Sequence, residues 1–147
     1  MKALSLTLAA LLAAGGAQAQ EINVIGFSGV FADNDQKFII EPFEAAHPGI
    51  TVNYQPSRNS AETLALLMRQ ARNPTIDVAL IDVSVAIKAN EADLFAQLDE
   101  GAVPNLADQP DWARIDDDRT IAFSQDNLTI LYNTQTVAEP PTSWGDL

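Results

Sequence analysis

The chain of 147 residues contains no cysteine, a single histidine, and 8 lysines and arginines against 20 aspartates and glutamates. Without cysteine there is no disulfide, no thiolate nucleophile, no thiolate-bound zinc and no acyl-bearing lipoprotein cysteine. The net charge of −12 argues against nucleic acid, whose phosphates require Lys and Arg, and against anionic lipid. A cationic ligand is compatible with that charge, although a solvated acidic surface is its commoner cause. No apolar run reaches the ~20 residues of a membrane-spanning helix.

Catalytic patterns are lacking too. His47 stands beside Pro48 at a helix end, where the dipole favours a positive imidazole and the role is structural. There is no G-x-S-x-G elbow, phosphate loop or dinucleotide glycine fingerprint. Asp116-Asp117-Asp118 lacks the glycine and distal glutamate of a calcium loop and reads as a solvated charge run. No catalytic residue, metal or cofactor is expected.

What is present begins with a leader. Lys2 supplies a positive start, Leu4–Ala14 an apolar stretch and Ala17-Gln18-Ala19 a small-x-small cleavage site before Gln20, the pattern of a secretory signal over residues 1–19. Loss of Lys2 makes the mature chain one unit more negative. An exported chain without disulfide or lipid anchor is expected to be periplasmic, held by its core alone, and 47% apolar residues suffice for one.

Strand and helix patterns then alternate. Glu21–Phe27 is a β-branched strand broken by Ser28-Gly29; Asn34–Ala46 is helical, with Phe31, Phe38, Ile39, Phe43 and Ala46 on one side. Pro42 should kink that helix, and His47-Pro48-Gly49 should end it in a left-handed cap. Ile50–Tyr54 is a second strand, Gln55–Asn59 a loop, and Ser60 the cap of a helix carrying Leu64, Leu67, Met68 and Ala71 on one face. Glu62 near its start and Arg69 and Arg72 near its end suit the dipole. Ile76–Ile81 is a third strand, apolar enough to be covered on both faces, and Val83–Asn90 a short helix. This succession predicts an α/β fold with a parallel sheet and right-handed crossovers. Gly101–Asp118 reads as surface loop. Thr120–Phe123 and Leu128–Asn133 read as strands separated by Ser124-Gln125-Asp126-Asn127.

Ligands of an open parallel sheet collect beyond the strands' carboxyl ends, which selects Ser28 to Phe31, Pro56 to Ser60 and Asp82 to Ser84. Gly29 allows close approach of a ligand, and helix starts favour anions; a turn with a cap explains the same residues. Asp82 is either a ligand carboxylate or the cap of the next helix. Arg58 is an anion partner or an exposed loop arginine, and Asp126 a ligand carboxylate or a solvated turn residue.

After Pro140-Pro141, Thr142 or Ser143 occupies an N-cap position with Asp146 in the first turn, so the chain is expected to be the front part of a longer protein. The stretches EINVIGFSGVFADNDQKFIIEPFEAAHPGITVNY, SAETLALLMRQ, NPTIDVALIDVS and DNLTILYNTQTVAEPPTSWGDL resemble extracellular solute-binding proteins of ABC importers, family 1-like and closest to the polyamine and iron(III) branch. The most specific piece is the strand ending Tyr132-Asn133, followed by Pro-Pro-Thr-Ser-Trp.

The resemblance implies a class II periplasmic-binding-protein fold of two hinged α/β lobes gripping one solute. Residues 20–124 would form an incomplete first lobe, and 125–147 the crossing and the start of the second. It assigns ligand contacts to Ser28, Gly29, Phe31, Asn59, Ser60, Asp82, Gln125 and Asp126. It implies permease subunits in the inner membrane as partners and a monomer when full length. Polyamine binders frame their ligand with aromatic rings, for which Phe31 is the nearby first-lobe candidate, and iron binders use tyrosines that would lie beyond residue 147. An exported hydrolase on the same scaffold and a sensory ligand-binding domain are the alternatives.

Overall fold

The computed structural model describes residues 20–146; the expected leader, residues 1–19, lies outside the described residues. They divide into two compact units, one ending at Leu94 and the other beginning at Phe95.

The first unit is built on β1 (Gln20–Phe27), which pairs in parallel with β2 (Ile50–Ser57) along its whole length, from Gln20 opposite Ile50 to Phe27 opposite Ser57. On its other side β1 pairs in parallel with β3 (Val78–Ala79), so the order is β2-β1-β3. Helices α3 (Ser60–Gln70) and α4 (Val83–Glu91) follow β2 and β3. This is the α/β fold with a parallel, helix-flanked sheet that the alternation predicts. Ile25 on the central strand is buried, as are Ile40, Ala86 and Ala89.

The helix between β1 and β2 departs from expectation. It begins at Val30 rather than Asn34 and has three parts: α1 (Val30–Asp35), a π-helical stretch (Gln36–Ile40) and α2 (Glu41–Ala46). Pro42 has no N–H to give the preceding turn, and the widened ladder lies just before it. The wider turn also shifts the buried face. Asp35 and Ile40, five residues apart, are buried, whereas Phe31, Phe38 and Ile39 of the expected stripe are exposed. Gly49 takes the predicted left-handed conformation, φ 100°, and the His47 ring packs on Phe43 with centroids 4.5 Å apart.

Both outer strands differ from their sequence patterns. β2 runs on through Gln55 and Pro56, which the pattern assigns to a loop. It is an edge strand, where a missing ladder donor is tolerated. Its Val52 N–H donates to Glu44 Oε1 at 2.7 Å, which covers part of an edge that would otherwise invite pairing. β3 is shorter than Ile76–Ile81, and Val78 is exposed rather than covered on both faces. Among the described residues β3 has a neighbour on one side only.

In the second unit, β4 (Arg114–Ile115) pairs antiparallel with β5 (Thr120–Ile121). Residues 101–118 are not simply surface loop: 3₁₀ turns at Pro104–Asp108 and Asp111–Ala113 bury Leu106 and Ala113. The hairpin turn holds Asp116, Asp117 and Asp118 at φ of 54°, 55° and 60°. Arg114 Nε donates to Asp118 Oδ1 at 2.7 Å, and Gln97 donates to Asp117 at 3.0 Å. Arg119 Nη1 donates to the Phe95 carbonyl at 2.6 Å. The acidic run is therefore organised by basic and amide partners, and the Arg114 guanidinium holds the Asp118 carboxyl below its ordinary range.

The expected strand at 128–133 is not formed. Leu128 and Leu131 are 92% and 90% exposed, and no strand lies alongside among the described residues. Alternation alone does not satisfy a strand's N–H and C=O groups. Thr120–Ile121 pairs with Arg114–Ile115 and does not zip against 128–133. At the far end, Asp146 accepts from the Thr142 and Ser143 N–H groups, each at 2.8 Å, the return half of a capping box.

Gly26 on β1 sits where a β-carbon would meet the Tyr54 ring and the Leu80 side chain. The Gly26→Ala substitution should cost about 1–3 kcal/mol of stability, the usual range for overpacking. Urea denaturation measures it, and an unchanged midpoint would show that the Tyr54 ring is free to move.

Candidate functional site

Because all three strands of the first unit are parallel, their carboxyl ends share one sheet edge. The chain moves from β1 outward to β2, then returns past β1 to β3. The connections thus diverge between β1 and β3, the switch point where crevices form in such sheets.

The loop after β1 carries Ser28, Gly29 and, in the first turn of α1, Phe31. Ser28 N–H donates to the Ser57 carbonyl at 3.0 Å, tying this loop to the end of β2. Gly29, at φ 69° and ψ −137°, precedes α1 and accepts from Asp33 N–H at 3.1 Å. A side chain there would be strained by the backbone even though the space is open. Phe31 is 57% exposed and its ring lies 5.8 Å from that of Phe27.

After β2 the helix cap is Asn59, not Ser60 as its sequence position suggests. Asn59 Oδ1 accepts from Glu62 N–H at 2.9 Å, and Ser60 is the first residue of α3. Ser57 Oγ donates to the Asn59 carbonyl at 3.1 Å. Arg58 is met by Glu62, Nε to Oε2 at 3.3 Å. That hydrogen bond raises the guanidinium pKa and lowers that of the carboxyl.

After β3, Asp82 occupies the cap position of α4 but makes no side-chain cap bond. Its carboxylate turns to Ser60 instead: Ser60 Oγ donates to Asp82 Oδ2 at 2.6 Å, and Asp82 N–H donates to Ser60 Oγ at 2.9 Å. The structure thus brings Ser28, Gly29, Phe31, Asn59, Ser60 and Asp82 to one edge. Gln125 and Asp126 belong to the other compact unit, where both are exposed.

Two residues that matter here were not selected by sequence. Tyr54 on β2 and Asp35 at the end of α1 meet behind the first loop, with the Tyr54 hydroxyl 2.9 Å from the Phe27 carbonyl and 3.1 Å from Asp35 Oδ2. The hydroxyl has one proton to give, so the two acceptors share it. The available signal was Asp35 itself, a carboxylate four residues after Phe31 on a stripe expected to be apolar. Burial first, then the bond to Asp35 and its charge, push the Tyr54 phenol well above its usual value near 10.

A concavity of about 100 Å³ opens between β2 and α3, lined by Ile25, Gln55, Ser57 and Leu66 among others. It is smaller than the ~300 Å³ and above of ordinary ligand pockets. Among the described residues no cluster of His, Asp and Glu is arranged to hold a metal, and no helix is long and apolar enough to cross a membrane.

A parallel sheet with its loops gathered at a switch point is the arrangement in which α/β units commonly carry ligand sites. Residues 39–147 match the profile of the bacterial extracellular solute-binding proteins, and the chain belongs to that family. A crystal structure from Bordetella parapertussis, assigned as an extracellular solute-binding protein, is 34% identical with a TM-score of 0.56. The similarity covers 64% of this chain and 29% of that one, so the chain spans less than a third of that relative. Among curated proteins none matches.

The displaced phenol has a consequence for stability. Below pH 10 the Tyr54 proton is bound in both folded and unfolded chains, and its hydrogen bond contributes in full. Above pH 10 the unfolded phenol ionises while the folded one keeps its proton, so stability falls as pH rises toward the folded pKa. The thermal midpoint should therefore decline more steeply above pH 10 in the wild type than in Tyr54→Phe. Parallel declines would place the phenol in an ordinary aqueous setting.

Proposed function

We propose that the protein is the periplasmic binding component of an ABC importer, taking up a small solute and handing it to permease subunits in the inner membrane. Membership of the solute-binding family, together with the convergence of three strand-to-helix loops at the sheet's switch point, carries this reading. The work of such a carrier is binding without turnover. Two lobes close on the solute, and closure follows only from contacts that are better in the closed state than in the open one.

On this edge the ligand-facing groups are Ser28, the Gly29 backbone, Phe31 and Asn59. Gln125 and Asp126 are assigned by resemblance to the crossing toward the second lobe, with residues 20–124 as the first lobe. A small cation, a polyamine or iron(III), is the proposed solute class. The net charge of −12 is compatible with a cation, and the exposed Phe31 ring is the one aromatic face these loops offer to an ammonium group.

Calorimetry of the full-length protein with spermidine and with iron(III) citrate tests this proposal. One of them should bind at one equivalent and be recovered unchanged. If spermidine is the ligand, Phe31→Ala should weaken it by about 3- to 30-fold, the range of a cation–π contact. Conversion of the bound compound would favour an exported hydrolase, and indifference to both probes would discard this solute class.

A further inference from the structure

We infer that Ser60 and Asp82 form a latch that positions the loops of the two outer strands, leaving direct contact with the solute to other groups. This rests on the proposed site at the β1/β3 switch point.

Ser60 is 2% exposed, and its hydroxyl is used in both senses: its proton goes to Asp82 Oδ2 and its oxygen accepts the Asp82 N–H. A serine hydroxyl has one donor, so none is left for a solute. Ser60 is the first residue of α3 and Asp82 the cap position of α4; these helices follow β2 and β3, and β1 lies between those strands. Two interstrand spacings amount to ~10 Å, so the pair joins loops that leave the sheet well apart. Asp82 also accepts through its main-chain carbonyl from Val85 and Ala86 N–H, each at 2.9 Å. Fixing Asp82 therefore fixes the first turn of α4. The α3 start is pinned separately by Asn59, so the latch ties the first turn of α4 to a turn that is already ordered.

A latch and a ligand carboxylate respond differently to substitution. Asp82→Asn keeps an oxygen to accept from Ser60 and keeps the main-chain N–H, but loses the charge. Ser60→Ala keeps the charge and breaks the latch. Hydrogen exchange on the full chain without ligand is the primary measurement. In Ser60→Ala the amides of Asp82, Val85 and Ala86 should exchange about tenfold faster or more, as loss of a charge-assisted bond implies, while those in the middle of α3 stay unchanged. Asp82→Asn should remain close to wild type. Unchanged exchange in Ser60→Ala, or equal acceleration in Asp82→Asn, would overturn the latch.

If Ser60→Ala does not fold, Asp82→Ala against Asp82→Asn makes the same comparison, with acceleration expected in the first alone. Spermidine titration adds a second readout. Where spermidine binds the wild type, Asp82→Asn should bind it equally; loss in Asp82→Asn with retention in Ser60→Ala would make Asp82 a ligand group and sink the latch. Where spermidine does not bind, the polyamine assignment falls and the exchange data alone decide on the latch.

Discussion

Parallel strands cannot be joined by a tight turn; the chain must travel back over a face of the sheet before the next strand begins. That constraint organises the first unit. β1 is hydrogen-bonded on both sides by strands running its own way, so every loop leaving a strand's carboxyl end emerges at the same edge. The switch from β2 to β3 across β1 then sends the following connections apart, the place where crevices form in such sheets. No special motif is needed to gather the six candidate residues at one edge, because strand direction alone does so.

The close fit behind that edge depends on what surrounds the central strand. Gly26 lets the Tyr54 ring lie against β1, and there its hydroxyl reaches both the Phe27 carbonyl and Asp35. The π-helical stretch, which follows Asp35 and ends just before Glu41-Pro42, accompanies a five-residue interval between the buried Asp35 and Ile40. One absent N–H, one absent β-carbon and one buried carboxylate thus bear jointly on the position of the loop that carries Ser28.

Legibility in the sequence followed the range of the interactions. β1, the start of β2, α3 and α4 were readable because their patterns are local: alternation, a 3.6-residue stripe, charges matched to the helix dipole. The helix before β2 misled because the π turn changes the repeat on which the stripe was judged. Residues 128–133 misled for the opposite reason, since an alternating pattern says what a strand would bury but not whether a partner lies alongside. At the site, the loops were legible from the sheet rule. The partners are not: local rules allow Asp82 to be a cap or a ligand group, whereas its carboxylate serves Ser60, a residue 22 positions away, and no local rule reports such a pair.

The polar groups at this edge are largely satisfied by one another. Asn59 caps α3, Glu62 meets Arg58, Ser60 meets Asp82, and Ser28 N–H is bonded to Ser57. A site made of groups already paired gains little from exchanging one hydrogen bond for another, because the net worth of such an exchange is about 1 kcal/mol. Its value lies in shape. If the proposed edge holds a solute, loops already fixed by these bonds need less ordering on binding, and discrimination falls to the surfaces that remain open, the Phe31 face and the Gly29 backbone.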